Sequence, residues 1–252
     1  MKNWYLELVR RNQFLAYSGL VFLIMALTMC LAPLFDSREL FGVSVWNKPI
    51  KFYISTTVLL WTIGWIMHDL PNKKQVRFIS KGVFICLTLE LVLITYQAIQ
   101  GKASHFNVTN PLDGVIFGMM GMIIFINSLF FIYLLILFLR VKTLPRGYQV
   151  GIISGLFIFL LGGYEGYLMA ARLSHTVGAA DGQKGVFFLS WAKSYGDLRI
   201  YHFLGLHALQ VLSLIGWYFF KDQPKAMWVT ALIYFILSSG TLWLALQGKS
   251  FF

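Results

Sequence analysis

The stretch Leu112-Asp-Gly-Val-Ile-Phe-Gly-Met-Met-Gly-Met-Ile-Ile-Phe-Ile-Asn-Ser-Leu-Phe-Phe-Ile-Tyr-Leu-Leu-Ile-Leu-Phe-Leu139 decides the fold class. After Asp113, 26 residues pass without a charge. A helix rising about 1.5 Å per residue crosses about 30 Å of hydrocarbon in about 20 residues, so this run is long enough to span a bilayer with tilt. Six more runs have the same character: Phe14–Leu34, Ile50–His68, Phe78–Ala98, Val150–Ala171, Ile200–Phe220 and Met227–Leu246. None alternates apolar with polar residues as a membrane β-barrel strand does. In lipid a spanning backbone must satisfy its own hydrogen bonds, which leaves helices. The expectation is an all-α integral membrane bundle of seven transmembrane helices, forming one domain over 1–252.

Composition agrees. The chain is 58% hydrophobic and 12% charged, about half the charged share of a soluble domain. The net charge of +11 sits in short spacers between apolar runs, where it reads as a topology signal and as contact with lipid headgroups rather than as a nucleic-acid surface. Twelve of the 21 basic residues fall on one side: Lys2, Arg10, Arg11, Lys73, Lys74, Arg77, Lys81, Arg140, Lys142, Arg146, Lys221 and Lys225. The positive-inside rule makes that side cytoplasmic, with the N-terminus inside and the C-terminus extracytoplasmic. The first run is longer than the apolar core of a signal peptide and lacks a small-x-small cleavage site, so it reads as a retained helix. Cys30 and Cys86 lie within apolar runs and form no CxxC, which argues against a disulfide framework or thiolate metal site. A retinal Schiff base would need a lysine deep in the seventh run, and there is none.

The chemistry-bearing residues gather toward the other, outer side. In the sixth run, at about 100° per residue from His202, Ser213 falls near 20°, Arg199 near 60°, Gln210 near 80° and His207 near 140°. Ionisable groups within a membrane are costly and usually face a bundle interior or cavity, so this arc is expected to look inward and to form a site. His105, in Ser104-His105-Phe106-Asn107, and His175 lie on or beside loops at the same end and are candidate further ligands. His68 lies at the opposite end of its run and is set apart. Lys48, Lys51 and Arg199 would ring the mouth of the site and hold an anionic group. Glu90, and Glu165 between Gly162, Gly163 and Gly166, are buried-acid candidates for proton carriers or polar partners. Asp197 reads as the N-cap of the sixth helix and Asp113 as a first-turn acid facing the macrodipole of the fourth.

Two imidazoles at i,i+5 do not share one helix face as ligands of one metal would, so each of His202 and His207 needs a partner from elsewhere. Three functional classes fit. The first is a haem b binding protein or oxidoreductase, with His202, His207, His105 and His175 as candidate ligands and the cations Arg199, Lys48 and Lys51, together with Gln210, around the cofactor. The second is a zinc-dependent hydrolase or transferase acting on lipid, with His202, His207 and His105 as metal-ligand candidates. The third is a transporter or assembly subunit without cofactor. Membrane lipid and other membrane subunits are the expected partners. No internal repeat stands out, which leaves an inverted-repeat transporter without support.

The segments His175-Thr-Val-Gly-Ala-Ala-Asp-Gly182 and Gly196-Asp-Leu-Arg-Ile-Tyr-His-Phe-Leu-Gly-Leu-His207, with Ser104-His105-Phe106-Asn107, resemble those of a family of bacterial seven-helix membrane proteins of unassigned activity. The resemblance implies a bacterial cytoplasmic membrane and implies no mechanism.

Overall fold

The computed structural model describes residues 4–182 and 185–252. Seven of its helices are long and apolar enough to cross a membrane. They are α2 (Gln13–Met29, continued by a 3-10 turn, Ala32–Leu34), α3 (Asn47–Ile66), α4 (Lys73–Ile99), α5 (Pro111–Arg140), α6 (Arg146–Arg172), α7 (Leu198–Tyr218) and α8 (Pro224–Leu246). The all-α seven-helix reading therefore holds. An eighth, short helix, α1 (Trp4–Arg11), precedes them. Its eight residues are too few for a periodicity signal, yet Leu8 is fully buried and Arg11 lies 4.3 Å over the Trp65 ring. Arg11 also pairs with Glu7 at 3.0 Å and Asp69 at 3.7 Å. The hydrogen bond from Arg11 dominates in holding the Glu7 carboxyl below its usual range.

Starts and stops follow from local chemistry. The Asn12 side chain accepts from the Leu15 amide and caps α2; Asn72 accepts from Lys74 and Gln75 and caps α4. Pro111 and Pro224 open α5 and α8, where a missing N–H costs nothing. Exposure separates two kinds of helix. Half of the most apolar window is buried in α3, α6 and α7, against 22% in α5 and α8. Ile236, Leu237, Trp243, Phe125 and Leu129 are exposed, and such stripes are tolerable where the solvent is lipid.

The chain divides into two compact units, Met1–Phe130 and Phe131–Phe252, the boundary falling inside α5. In the first, α3 packs against α2 and α4. In the second, α6 and α7 make the most intimate pair and α8 packs on both. Backbones approach closely there because glycines face each other: a Cβ built on Gly162 would lie 2.7 Å from the Gly205 Cα. The core of this unit is Val150, Ile158, Ala208, Leu212, Met227 and Ala231. Each unit joins its first two membrane helices through a small antiparallel ladder, Glu39–Leu40 with Val43–Ser44 in the first and Thr176–Val177 with Gly196–Asp197 in the second.

Candidate functional site

In the first unit the site forms around Glu90, on the inward face of α4. Its side chain is buried, the residue being 4% exposed, and Oε2 has no hydrogen-bond partner. The loop after α4 brings His105 back over it, with Nε2 3.7 Å from Glu90 Oε1. Ser104 Oγ lies 3.1 Å from Nδ1 of the same ring. Phe52, Phe106 and Phe117 surround the imidazole at centroid distances of 5.9, 6.1 and 6.2 Å. Lys48 is in the first turn of α3, its Nζ 5.6 Å from the Phe52 ring centroid; Lys51 lies one turn further along. Asp113 does the structural job read for it, and more. It is buried in the first turn of α5, accepts from Lys102 at 3.1 Å and Gln97 at 3.2 Å, and locks onto Asn110, whose own Oδ1 accepts from the Asp113 amide.

In the second unit the site is the crossing of α6 and α7. Glu165, 3% exposed, has no hydrogen-bond partner for either carboxylate oxygen. His202 Nδ1 lies 3.4 Å from Glu165 Oε2 and 2.8 Å from the Gly162 carbonyl. The small residues Gly162 and Gly166 are what let the ring lie against α6: a Cβ on Gly166 would stand 3.0 Å from His202 Cε1. With Nδ1–H donated to a carbonyl, the ring is held in the tautomer whose Nε2 carries a free lone pair. Among the described residues no hydrogen bond reaches that Nε2.

The polar arc of α7 is only partly an interior surface. Gln210 and Ser213 are buried. The Gln210 amide nitrogen, in its satisfied orientation, donates back to the carbonyls of Leu206 and His207 at 3.0 and 3.1 Å, within its own helix. The His207 ring lies tilted against Phe203, centroids 4.3 Å apart, and exposed Phe203, Leu214 and Tyr218 share that flank. Thus the structure turns His202 onto α6, while His207, half-buried like His202, lies against Phe203 of its own helix.

Arg199 departs from its expected place as an open cation at the mouth. It forks onto Asp197, Nε–Oδ1 2.9 Å and Nη2–Oδ2 2.6 Å, and donates to the Ser190 carbonyl. Asp197 is indeed the N-cap of α7, accepting from the Arg199 amide, and it also takes the Ala192 amide at 2.7 Å. His175 belongs to a loop turn. Its Nδ1 lies 3.2 Å from Asp181 Oδ1, and Asp181 also accepts from the Ser174 hydroxyl and the Thr176 amide. Burial alone would raise the Asp181 carboxyl, but the His175 charge and these hydrogen bonds outweigh it and hold it low. Sequence reasoning passed over Asp181 as a loop acid; the signal available was its place six residues after a histidine in a glycine-rich loop.

Among the described residues no three of His, Cys, Asp and Glu converge as a metal-binding group. Two surface grooves, one beside Phe14, Tyr17 and Phe84 (about 490 Å³) and one beside Gln149, Pro224 and Trp228 (about 430 Å³), are lined by neither histidine nor glutamate. Comparison with protein-family profiles, curated proteins and solved structures finds no match.

Proposed function

We propose that this is a multi-pass membrane protein that handles protons through two buried carboxylate–imidazole pairs, Glu90–His105 and Glu165–His202, and that it works as a proton-linked carrier. The observation that carries the reading is the burial of both acids within spanning helices, each with an oxygen lacking a hydrogen bond and each within 4 Å of an imidazole nitrogen. An isolated carboxylate in lipid is prohibitively costly. Beside an imidazole the shared proton can sit on either group, as two neutral groups or as an ion pair, at the same net charge, so each pair can pass a proton between its two members. Intramembrane acid–histidine chains of this kind mark proton relays. The dense basic clusters at 73–81 and 140–146 support a cytoplasmic N-terminus, which assigns the two histidine-bearing ends to the extracytoplasmic face of a bacterial inner membrane.

The test is pH-difference infrared spectroscopy of the protein in lipid. Protonated-carboxyl bands should change as the pH is varied, and Glu90→Gln and Glu165→Gln should each delete one. If neither substitution removes a titrating band, the reading fails.

A second reading, haem b held by His202, is favoured by one feature: Nδ1–H fixed on the Gly162 carbonyl with Nε2 open, as histidine ligands are commonly arranged. It predicts a Soret band in the purified protein that His202→Ala or His207→Ala bleaches or shifts and that His68→Ala leaves alone. Metal analysis of the same sample tests zinc, for which His105 and His202 each lie within 4 Å of a carboxylate on a spanning helix.

A further inference from the structure

Three short motifs occur twice in the chain. Ser18-Gly19-Leu20 returns as Ser154-Gly155-Leu156, Ile63-Gly64-Trp65 as Ile215-Gly216-Trp217, and Asp69-Leu70-Pro71 as Asp222-Gln223-Pro224. Ser-Gly-Leu, Ile-Gly-Trp and Asp-x-Pro occur nowhere else in the sequence. Their order is the same both times. The first lies on α2 and on α6, the second on α3 and on α7, and the third in the turns that lead into α4 and into α8.

Helix packing repeats in the same register. A Cβ on Gly64 would lie 3.3 Å from Leu15 Cβ and 3.6 Å from Asn12 Cβ. A Cβ on Gly216 would lie 3.5 Å from Gly151 Cα and 3.3 Å from Tyr148 Cα. The 136-residue shift that superposes the Ser-Gly-Leu motifs carries Asn12 onto Tyr148 and Leu15 onto Gly151. A second level agrees. Gly19 meets Trp61 and its carbonyl accepts from Thr57 Oγ1 at 3.1 Å, while Gly155 lies against Leu209, 2.8 Å from a built Cβ to its Cα. The 152-residue shift that superposes the Ile-Gly-Trp motifs carries Thr57 onto Leu209. Gly19 and Gly155 share a helix face without sharing the same closest contact, since Trp61 is carried onto Ser213; Gly64 and Gly216 meet equivalent residues of the neighbouring helix, which chance recurrence of tripeptides would not require. The aromatic after each packing glycine is likewise covered by a cation, Arg11 over Trp65 at 4.3 Å and Lys221 over Trp217 at 4.4 Å.

We infer that the chain is a tandem duplication of a three-helix unit, α2–α4 and α6–α8, joined by the single helix α5. With all seven helices spanning, four crossings separate each helix from its equivalent, so the two copies run parallel through the membrane. Parallel repeats of this kind build several secondary-transporter folds; that clause rests on the carrier reading, whereas the duplication does not. The polar chemistry has diverged between copies. Under the same shifts Glu165 falls on Met29 and His202 on Ile50, so the two carboxylate–histidine pairs are separate acquisitions on a duplicated frame.

The experiment uses full-length protein with Cys30 and Cys86 changed to Ser. Leu15→Cys with Gly64→Cys, and Gly151→Cys with Gly216→Cys, should both cross-link on mild oxidation in membranes. The pairs displaced by one turn, Gly19→Cys with Gly64→Cys and Gly155→Cys with Gly216→Cys, should not. Cross-linking of one equivalent pair without the other, or of the displaced pairs instead, overturns the duplication. Should cysteine at a packing glycine prevent folding, single cysteines at the exposed caps Asn72 and Gln223 give a separate reading. Parallel copies require both to react with an impermeant maleimide from the same side, and reaction from opposite sides overturns it. Neither readout involves proton exchange, so failure of the carrier reading would leave both unchanged.

Discussion

Two adjacent glycines on α6 should respond to the same substitution in opposite directions. Gly162 faces α7, where a new Cβ would stand 2.7 Å from Gly205 Cα, 2.9 Å from its carbonyl carbon and 3.0 Å from Leu206 N. All three are backbone atoms and cannot rotate away. Ordinary contact begins near 3.4 Å, so α6 and α7 must separate by roughly 0.7 Å. Overpacking of this kind costs about 1–3 kcal/mol, partly offset by about 1 kcal/mol of helix propensity for alanine over glycine. The same opening would stretch the His202 Nδ1–Gly162 carbonyl bond from 2.8 Å to about 3.5 Å, the limit of a hydrogen bond, for a further loss of about 0.6 kcal/mol. Gly162→Ala should therefore destabilise by about 0.6–2.6 kcal/mol. Gly163, one residue on, has nothing within 4 Å of a built Cβ, and Gly163→Ala should be neutral or stabilise by up to about 1 kcal/mol. Reversible unfolding of the purified protein in mixed micelles, titrated with a denaturing detergent, measures both. A Gly162→Ala protein as stable as wild type, or equal losses for both variants, would refute the proposed α6–α7 contact and with it the seating of His202.

Three further outcomes are expected. Asp197→Ala removes the α7 cap and leaves Arg199 half-buried without its carboxylate, so thermal unfolding in detergent should report a loss of about 2–3 kcal/mol, with Asp197→Asn losing less because it still caps. Asp181 titrates below its ordinary value, so its contribution to the 174–181 turn is complete above the normal aspartate range and disappears as pH falls through the lowered value; amide exchange at Thr176 should accelerate only in acid, and in Asp181→Asn should be fast already at neutral pH. Reporter fusions at Lys142 and at Phe252 should report opposite sides of the membrane, since three spanning helices separate them, and agreement between them would contradict the seven-span count.

The seven spans were legible because lipid imposes a length and a composition on every crossing helix, and runs such as Leu112–Leu139 have few other physical explanations. The cap at Asp197 was legible for a similar reason: an Asp just before an apolar run satisfies orphan amides whatever the tertiary fold. The functional side chains were only half legible. Angular arithmetic on α7 puts His202, Gln210 and Ser213 on one arc, of which Gln210 and Ser213 are buried, but it assigns directions on one helix and is blind to the width of the neighbour. Gly162 and Gly166 make α6 narrow where it meets His202, while the ring of His207 lies against Phe203 of its own helix. Sequence also treats Arg199 and His175 as available groups. Only the folded loop shows that Asp197 and Asp181, each close in sequence, already hold them.

The repeat was invisible to hydropathy for a reason that bears on how such proteins diverge. Lipid-facing positions need only be apolar, so Leu, Ile, Phe and Val exchange freely and erase identity along most of each helix. What cannot change is the point where two backbones come within glycine distance, because any side chain there forces the helices apart by an amount the whole pair must absorb. Gly155 and Gly216 are such points in the second copy, whereas their counterparts Gly19 and Gly64 meet side chains of the neighbouring helix, Trp61 and Leu15. The polar residues obey a third rule. A buried Glu needs a partner more than it needs a particular helix, so Glu90 could find an imidazole on a loop while Glu165 found one on a neighbouring helix. Under the duplication, ancestry in this chain is written in the glycines, and neither Glu90 nor Glu165 falls on one of those positions.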